Sequence, residues 1–294
     1  MKISFLKYRK IYYLFSVLLV LGSVYAILTY GLKFGMEFTG GSVLEISVPD
    51  SGYSRDEIES KLKSLNIGEM TISRLSNNNV SLRLPSLSDE MHGKMLTALP
   101  DAKEERFETI GPLIGKELKT KTEIAIALSL MGIMLYIVIA FRKLTYPAKP
   151  WQYGVAALIA LFHDLIIPLG VFAILGKFYN VEITIPFVAA LLTVLGYSIS
   201  DTVVVYDRIR ENYPKNKGKN FYDIVEESLN QTIVRSITTN IAAILTLVCI
   251  YFFGGETLKY FALAMVIGII SGSYSSIFIA TPLLVTWNKS TLTK

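Results

Sequence analysis

Six long apolar runs divide the chain, at 11–32, 124–141, 152–175, 183–206, 233–253 and 260–287. Each reaches the length of about 18 residues that a helix needs to cross a bilayer core. The last run exceeds the hydrocarbon thickness, so tilt or an interfacial first turn is expected there. Between the first and second runs the period changes. Residues 41–48 alternate apolar and polar with period two, which reads as a strand. Ser54 to Glu57 form a capping box ahead of an amphipathic run to Leu65, which predicts a helix. Residues 70–75 and 80–84 make a hairpin through Asn77, Asn78 and Asn79. Ser88 opens a second helix to Leu99, and residues 103–110 supply a last strand.

The pattern predicts a polytopic α-helical membrane protein with six transmembrane helices. One α+β exported domain, ordered βαββαβ and hence ferredoxin-like, lies between spans one and two. The expected divisions are 1–32 (basic leader and first span), 33–119 (exported domain) and 120–294 (five-helix bundle). The last includes a basic cytoplasmic loop at 207–232.

Composition agrees with that picture: 52% of residues are hydrophobic and the mean hydropathy is +0.45. Orientation follows from the cations, which accumulate on the cytoplasmic side of a membrane protein. With alternating spans, the leader (Lys2, Lys7, Arg9, Lys10), Arg142/Lys143/Lys149, Arg208 to Lys219, and Lys289/Lys294 all fall on one side. Both termini are therefore expected in the cytoplasm. The leader resembles a signal peptide, but its apolar run is too long and no small-residue cleavage site follows, so it reads as an uncleaved anchor. Residues 31–119 carry 11 basic and 14 acidic side chains, and long domains cross largely regardless of charge. The net charge of +5 is thus a topology signal and not a nucleic-acid footprint. Cys249 lies in a span, so the exported domain must hold together by packing without disulfides.

Candidate chemistry lies inside the membrane. Asp201 stands in the fourth span, six residues before Asp207 and hence about 9 Å inside the boundary. A carboxylate at that depth is a candidate for ion or proton handling; the structural alternative is an acceptor that only joins helices. On a helical wheel Thr193, Tyr197 and Ser200 share its face with Gly196. On the fifth span Arg235, Thr238 and Thr239 share another. Arg235 lies just inside the same boundary, within reach of Asp201 or free to snorkel outward. A guanidinium changes how readily a carboxylate takes a proton, so an approach made in only one conformation would couple protonation to helix position. A proton crossing the membrane yields about 2.3 kcal/mol per 100 mV. Asp164 in the third span is a further coupling candidate, although His163 and Pro168 offer a structural account, a kink whose freed backbone groups need partners.

Ala264, Gly268, Gly272, Ser276 and Ala280 recur at spacing four in the sixth span and read as a helix-packing stripe. Residues 220–232 are amphipathic and predict a surface-lying helix before the fifth span. Glu37, Gly40 and Gly41 lie just outside the first span; the Gly-Gly pair eases a turn or serves as a membrane-to-domain hinge. The exported domain has no His/Cys cluster and no paired nucleophile and base, and its sheet edges suit an extended polypeptide or a partner domain.

Three stretches carry a resemblance. They are Phe34-Gly-Met-Glu-Phe-Thr-Gly-Gly41, Gly196-Tyr-Ser-Ile-Ser-Asp-Thr-Val-Val-Val-Tyr-Asp-Arg-Ile-Arg-Glu211, and Ser228-Leu-Asn-Gln231 with Arg235 and Thr238-Thr239-Asn240. Together, over the whole chain, they resemble the SecF family of the bacterial protein-export complex. Glu37 stands where that family has aspartate, Ser200 where asparagine is common, and Tyr206 where phenylalanine is. The resemblance implies half of an RND-like twelve-span unit completed by SecD. It implies work beside the SecYEG channel, where a proton or sodium gradient promotes late export of unfolded polypeptide in the bacterial inner membrane. It implies no enzyme activity, no metal and no cofactor beyond the coupling ion. A passive scaffold, half of an RND-type small-molecule exporter and an intramembrane aspartyl protease using Asp164 and Asp201 are the competing readings.

Overall fold

The computed structural model describes residues 3–48, 55–63, 65, 67–68, 70–74, 79–142, 148–216 and 218–288. Ser54, which opens the expected capping box, and the turn residues Asn77 and Asn78 lie outside them, as do the cations Lys143, Lys289 and Lys294. Contacts divide the chain into two units, Phe34–Glu123 and Met1–Lys33 with Ile124–Lys294.

The Phe34–Glu123 unit opens with a short helix α2 (Met36–Thr39) that periodicity did not announce, followed by β1 (Gly41–Ser47). Then come helix α3 (Arg55–Lys63), strands β2 (Thr71–Arg74) and β3 (Asn79–Leu84), helix α4 (Asp89–Ala98) and strand β4 (Lys103–Ile110). The sheet runs β2-β3-β1-β4, and every neighbouring pair is antiparallel. This is the ferredoxin-like arrangement. The period-two pattern explains the core: Leu44, Ile46 and Val48 turn inward with Val80, Leu82 and Leu84. They meet Ile58 and Leu62 of α3, Met95 of α4 and Leu99 just after it. The Ser88 side chain caps α4 by accepting from the Met91 N–H at 3.4 Å. Edge strand β4 is studded with charge, Arg106 bonding Glu108 at 2.7 Å, which discourages indiscriminate pairing. His92 of α4 lies flat on Phe107 of β4, with ring centroids 3.8 Å apart.

At the Gly-Gly pair the backbone is left-handed, with φ of +75° at Gly40 and +143° at Gly41. A Cβ on Gly40 would stand 2.7 Å from the Pro112 Cα. A Cβ on Gly115 would in turn stand 2.9 Å from the Gly40 N. Glu37 lies in α2, and its charge acts on Arg106.

Among the described residues six helices are long and apolar enough to cross a bilayer. The first comprises a 3-10 turn at Leu6–Tyr8 and α1 (Arg9–Tyr30). α5 (Pro112–Ala140), α6 (Pro150–Tyr179), α7 (Ile185–Lys215) and α8 (Phe221–Phe253) follow. The sixth is α9 (Glu256–Ser275), a π-helical turn (Ser276–Ala280) and α10 (Thr281–Trp287). Two expectations are corrected here. Residues 220–232 are no separate surface helix but the start of α8, a single helix of 33 residues. The supposed loop 207–232 is helical apart from the reversal between Lys215 and Phe221. Polar residues continue these helices beyond their apolar runs, and the turn is set by Gly218 (φ +116°) and by Asn220, which caps α8 through the Asp223 N–H. The π turn also has a local cause. Pro282 would clash with a preceding carbonyl in a regular helix, and the wider turn lets the Thr281 hydroxyl donate to the Ser276 carbonyl at 2.8 Å.

The spans differ in burial: half or so of the third, fourth and sixth is enclosed, against about a tenth of the first and second. The start of α8 also holds the N-terminal segment. Glu226 accepts from the N–H groups of Phe5 (2.5 Å) and Leu6 (2.9 Å), and Asn230 makes a two-way bond with the backbone of Ile3. Three N–H groups at the start of the first helix, those of Ile3, Phe5 and Leu6, are thus satisfied by the fifth.

Candidate ion-coupling site

Hydroxyls projecting from α9 organise the bundle interior. Ser271 and Ser275 are one helical turn apart, and both reach Asp164 of α6, a carboxylate with no exposed surface. Oδ1 of Asp164 accepts from Ser271 at 2.9 Å and lies 3.0 Å from Nδ1 of His163. Oδ2 accepts from Ser275 and from Ser198 of α7, both at 2.6 Å. Four side chains from three helices therefore saturate one carboxylate. They are side-chain groups, not the freed backbone groups of a proline kink. The His163 ring stacks toward Tyr274, whose hydroxyl donates to the Tyr12 carbonyl of α1 at 3.0 Å. Thr202 of α7 pairs with Ser276 at 2.8 Å where the π turn begins.

Asp201 is built differently. It is 8% exposed, and its Oδ2 accepts from Nδ2 of Asn240 on α8 at 2.5 Å, with the Ser236 hydroxyl as a second partner. Asn240 also donates to Ser273 of α9 at 2.6 Å. The side chain thus turns into the bundle toward polar partners on a neighbouring helix. Its partners are not those of Asp164, so the two carboxylates do not form the shared site an aspartyl dyad requires.

The wheel placed two faces wrongly. Thr193, Tyr197 and Ser200 are exposed on the chain, as are Arg235, Thr238 and Thr239. The residues that α7 turns inward beside Asp201 are Ser198 and Thr202, and those of α8 are Ser228, Thr232, Ser236 and Asn240. These lie about one residue, or 100°, around from the expected stripes. Arg235 accordingly does not pair with Asp201. It lines a groove of about 200 Å³ with Asp207, Arg208, Glu211 and Gln231. The readable signal was the run of polar residues at spacing four, Ser228 to Asn240, which the more conspicuous arginine obscured.

Ala264, Gly268, Gly272, Ser276 and Ala280 are all buried. Gly268 faces Val194 and Gly272 faces Ser198, whose Cβ would be 2.9 Å from any added methyl. That closeness brings the α7 and α9 hydroxyls to a common carboxylate. Among the described residues no group of three or more His, Cys, Asp or Glu side chains is placed to hold a metal.

Comparison with known proteins places this geometry. The family model described as "Protein export membrane protein SecD/SecF, C-terminal" matches residues 91–290, including Asp164, Asp201, Arg235 and Asn240. The model "SecD/SecF GG Motif" matches residues 25–48 with Gly40 and Gly41. Protein translocase subunit SecF of Thermobaculum terrenum is 40% identical over 97% of this chain and 94% of its own length. The chain belongs to the SecF family. SecF of Synechocystis is 35% identical over 98% of this chain and 95% of its own. Among solved structures, SecDF of Thermus thermophilus, described as a translocon-associated membrane protein, superposes with a TM-score of 0.83 at 32% identity. SecDF in a super-membrane-facing form gives 0.71 at 30%. This chain covers 39% of the length of either SecDF chain. It is thus a multi-pass membrane protein of the translocase-subunit kind, an RND-like half with one α+β domain.

Proposed function

We propose that the chain, paired with a SecD partner, uses a proton or sodium gradient to promote the late stages of polypeptide export through the SecYEG channel. The carrying observation is Asp201, an enclosed membrane carboxylate whose main partner, Asn240, sits on a different helix. A buried acid joined across a helix interface can change that interface when its ionisation changes. The need for SecD is supported by the solved SecDF chains, of which this chain covers 39%. The distribution of cations supports a bacterial inner-membrane protein with both termini in the cytoplasm. In this reading the protein is not an enzyme and needs no cofactor beyond the ion. Arg235 acts from the cytoplasmic groove and Asp164 as an accessory acid. Thr193, Tyr197, Ser200, Thr238 and Thr239 offer polar faces to the partner, and Glu37, Gly40 and Gly41 form the joint next to the α+β domain.

The test is gradient-dependent export by Asp201→Asn in the SecD-paired complex, at wild-type expression. The gradient's stimulation of export is expected to fall about tenfold, the effect of about 1.4 kcal/mol of lost coupling. Export equal to wild type excludes the reading. The scaffold alternative draws on Asp164, whose four bonds look like helix glue; it predicts a silent Asp201→Asn and a complex broken by bulky residues at Gly268 or Gly272.

A further inference from the structure

The Asn240 amide spends both hydrogens of one nitrogen, on Asp201 Oδ2 at 2.5 Å and on Ser273 Oγ at 2.6 Å. Ser273 passes its own hydrogen to the Ile269 carbonyl at 2.7 Å. Every donor in this short chain is committed, and the direction suits an ionised Asp201, which can only accept. We propose that Asn240 is the positioning residue that reports the protonation of Asp201 to the sixth span, by turning its amide over.

The reasoning rests on the reading above, with a proton as the coupling ion. A protonated carboxyl carries an O–H that needs an acceptor. The amide nitrogen cannot accept, whereas the amide oxygen can. Once turned, that oxygen faces both Asp201 and Ser273, and the Ser273 hydroxyl rotates from the Ile269 carbonyl to meet it. One proton thus reverses the polarity of the whole chain. Ser236, the other partner of Asp201, donates or accepts equally well and cannot discriminate. On the opposite side of α9, Ser271 and Ser275 stay fixed to Asp164. The sixth span therefore has one pinned side and one switching side, immediately before the π turn at Ser276–Ala280.

Besides Asp201, α7 carries Tyr197 and Tyr206 and, toward its end, Asp207, Arg208, Arg210, Glu211, Tyr213 and Lys215; α8 carries Asp223, Glu226 and Glu227 near its start and the exposed Arg235. α6 contributes His163 and Asp164, whose bonds go to other partners. Among the described side chains α9 contributes Lys259 near its start, with Tyr260 and Tyr274. None of them reaches the Asn240 amide in the described hydrogen bonds.

The test is amide hydrogen exchange over residues 268–280 in the SecD-paired complex, with Asp201→Asn as the neutral surrogate. Alone, Asp201→Asn is expected to change exchange there by about threefold or more, a local opening shift of about 0.7 kcal/mol. In an Asn240→Ala background the same substitution is expected to change nothing. Ser273→Ala, which keeps the Asn240–Asp201 bond but cuts the link to α9, gives the same result and serves if Asn240→Ala does not assemble. An Asp201→Asn effect that is absent, or undiminished in either background, overturns the proposal. Intact export by Asp201→Asn would sink the coupling function instead, and the exchange data would still decide on Asn240.

Discussion

Asp164 and Asp201 are two carboxylates on adjacent helices of one bundle, and their surroundings assign them different work. Asp164 has no exposed surface and is saturated by Ser198, Ser271, Ser275 and His163. Its proper strength is cohesion, since any loss of charge or shape leaves several enclosed groups without partners. Asp201 is at the margin of the same interior, keeps a little exposure, and is met by one amide and one hydroxyl. Fewer donors mean fewer obstacles to changing its state. In the proposed function it is the number and kind of partners, and not depth alone, that gives Asp164 chiefly an anchoring part and Asp201 the switching one.

The largest effect that separates the two is on stability. Interhelical hydrogen bonds in membrane proteins average about 0.6 kcal/mol, so Asp164→Leu is expected to cost about 2 kcal/mol from its three interhelical bonds. Three stranded hydroxyls add to that. Asp201→Asn, which keeps its shape and can still bond the amide, should cost less than about 1 kcal/mol. Thermal unfolding in detergent checks this, and equal losses would erase the distinction. Gly272→Leu should come next, at about 1–3 kcal/mol, because a side chain there displaces Ser198 from Asp164. Its cost should fall well short of additive with Asp164→Leu, since both disturb one network.

Single hydroxyl deletions sharpen the comparison further. Ser271→Ala and Ser275→Ala should each cost about 0.6 kcal/mol, with gradient-dependent export retained, whereas Ser273→Ala should alter the response to the gradient at still smaller cost. Reversal of that order would move the switch from Asp201 to Asp164. The smallest effect belongs to Arg235→Gln, within about 0.5 kcal/mol on the isolated chain, because its side chain is exposed and does not bond Asp201. A large destabilisation would mean that the guanidinium folds inward after all.

How far sequence reasoning reached depends on the element. The ferredoxin-like order was legible from alternation and caps because each strand has one buried face, and period two records which face that is. Helix α2 left no periodic trace, being four residues long. In the membrane unit the six spans were legible from apolar length, but their rotation was not. α8 carries Thr232, Ser236 and Asn240 on one line, with Arg235, Thr238 and Thr239 on the next, and a wheel ranks the two alike. The small-residue stripe Ala264 to Ala280 was legible at spacing four, yet nothing local marked Ser271 and Ser275 as donors to α6 or Ser273 as an acceptor from α8.

The sequence by itself determined the number of spans and the place of the α+β domain, because these depend on hydrophobic length and on local period, and its three motif stretches carried the family. Only tertiary structure decided that Asp164 is caged, that Asn240 and not Arg235 meets Asp201, and that the sixth span joins both acids. Those outcomes depend on how each helix is turned against its neighbours, and a bilayer, apolar on every side, imposes no such rotation. It is set by close contacts such as Gly272 on Ser198 and by the need to pair every enclosed polar group.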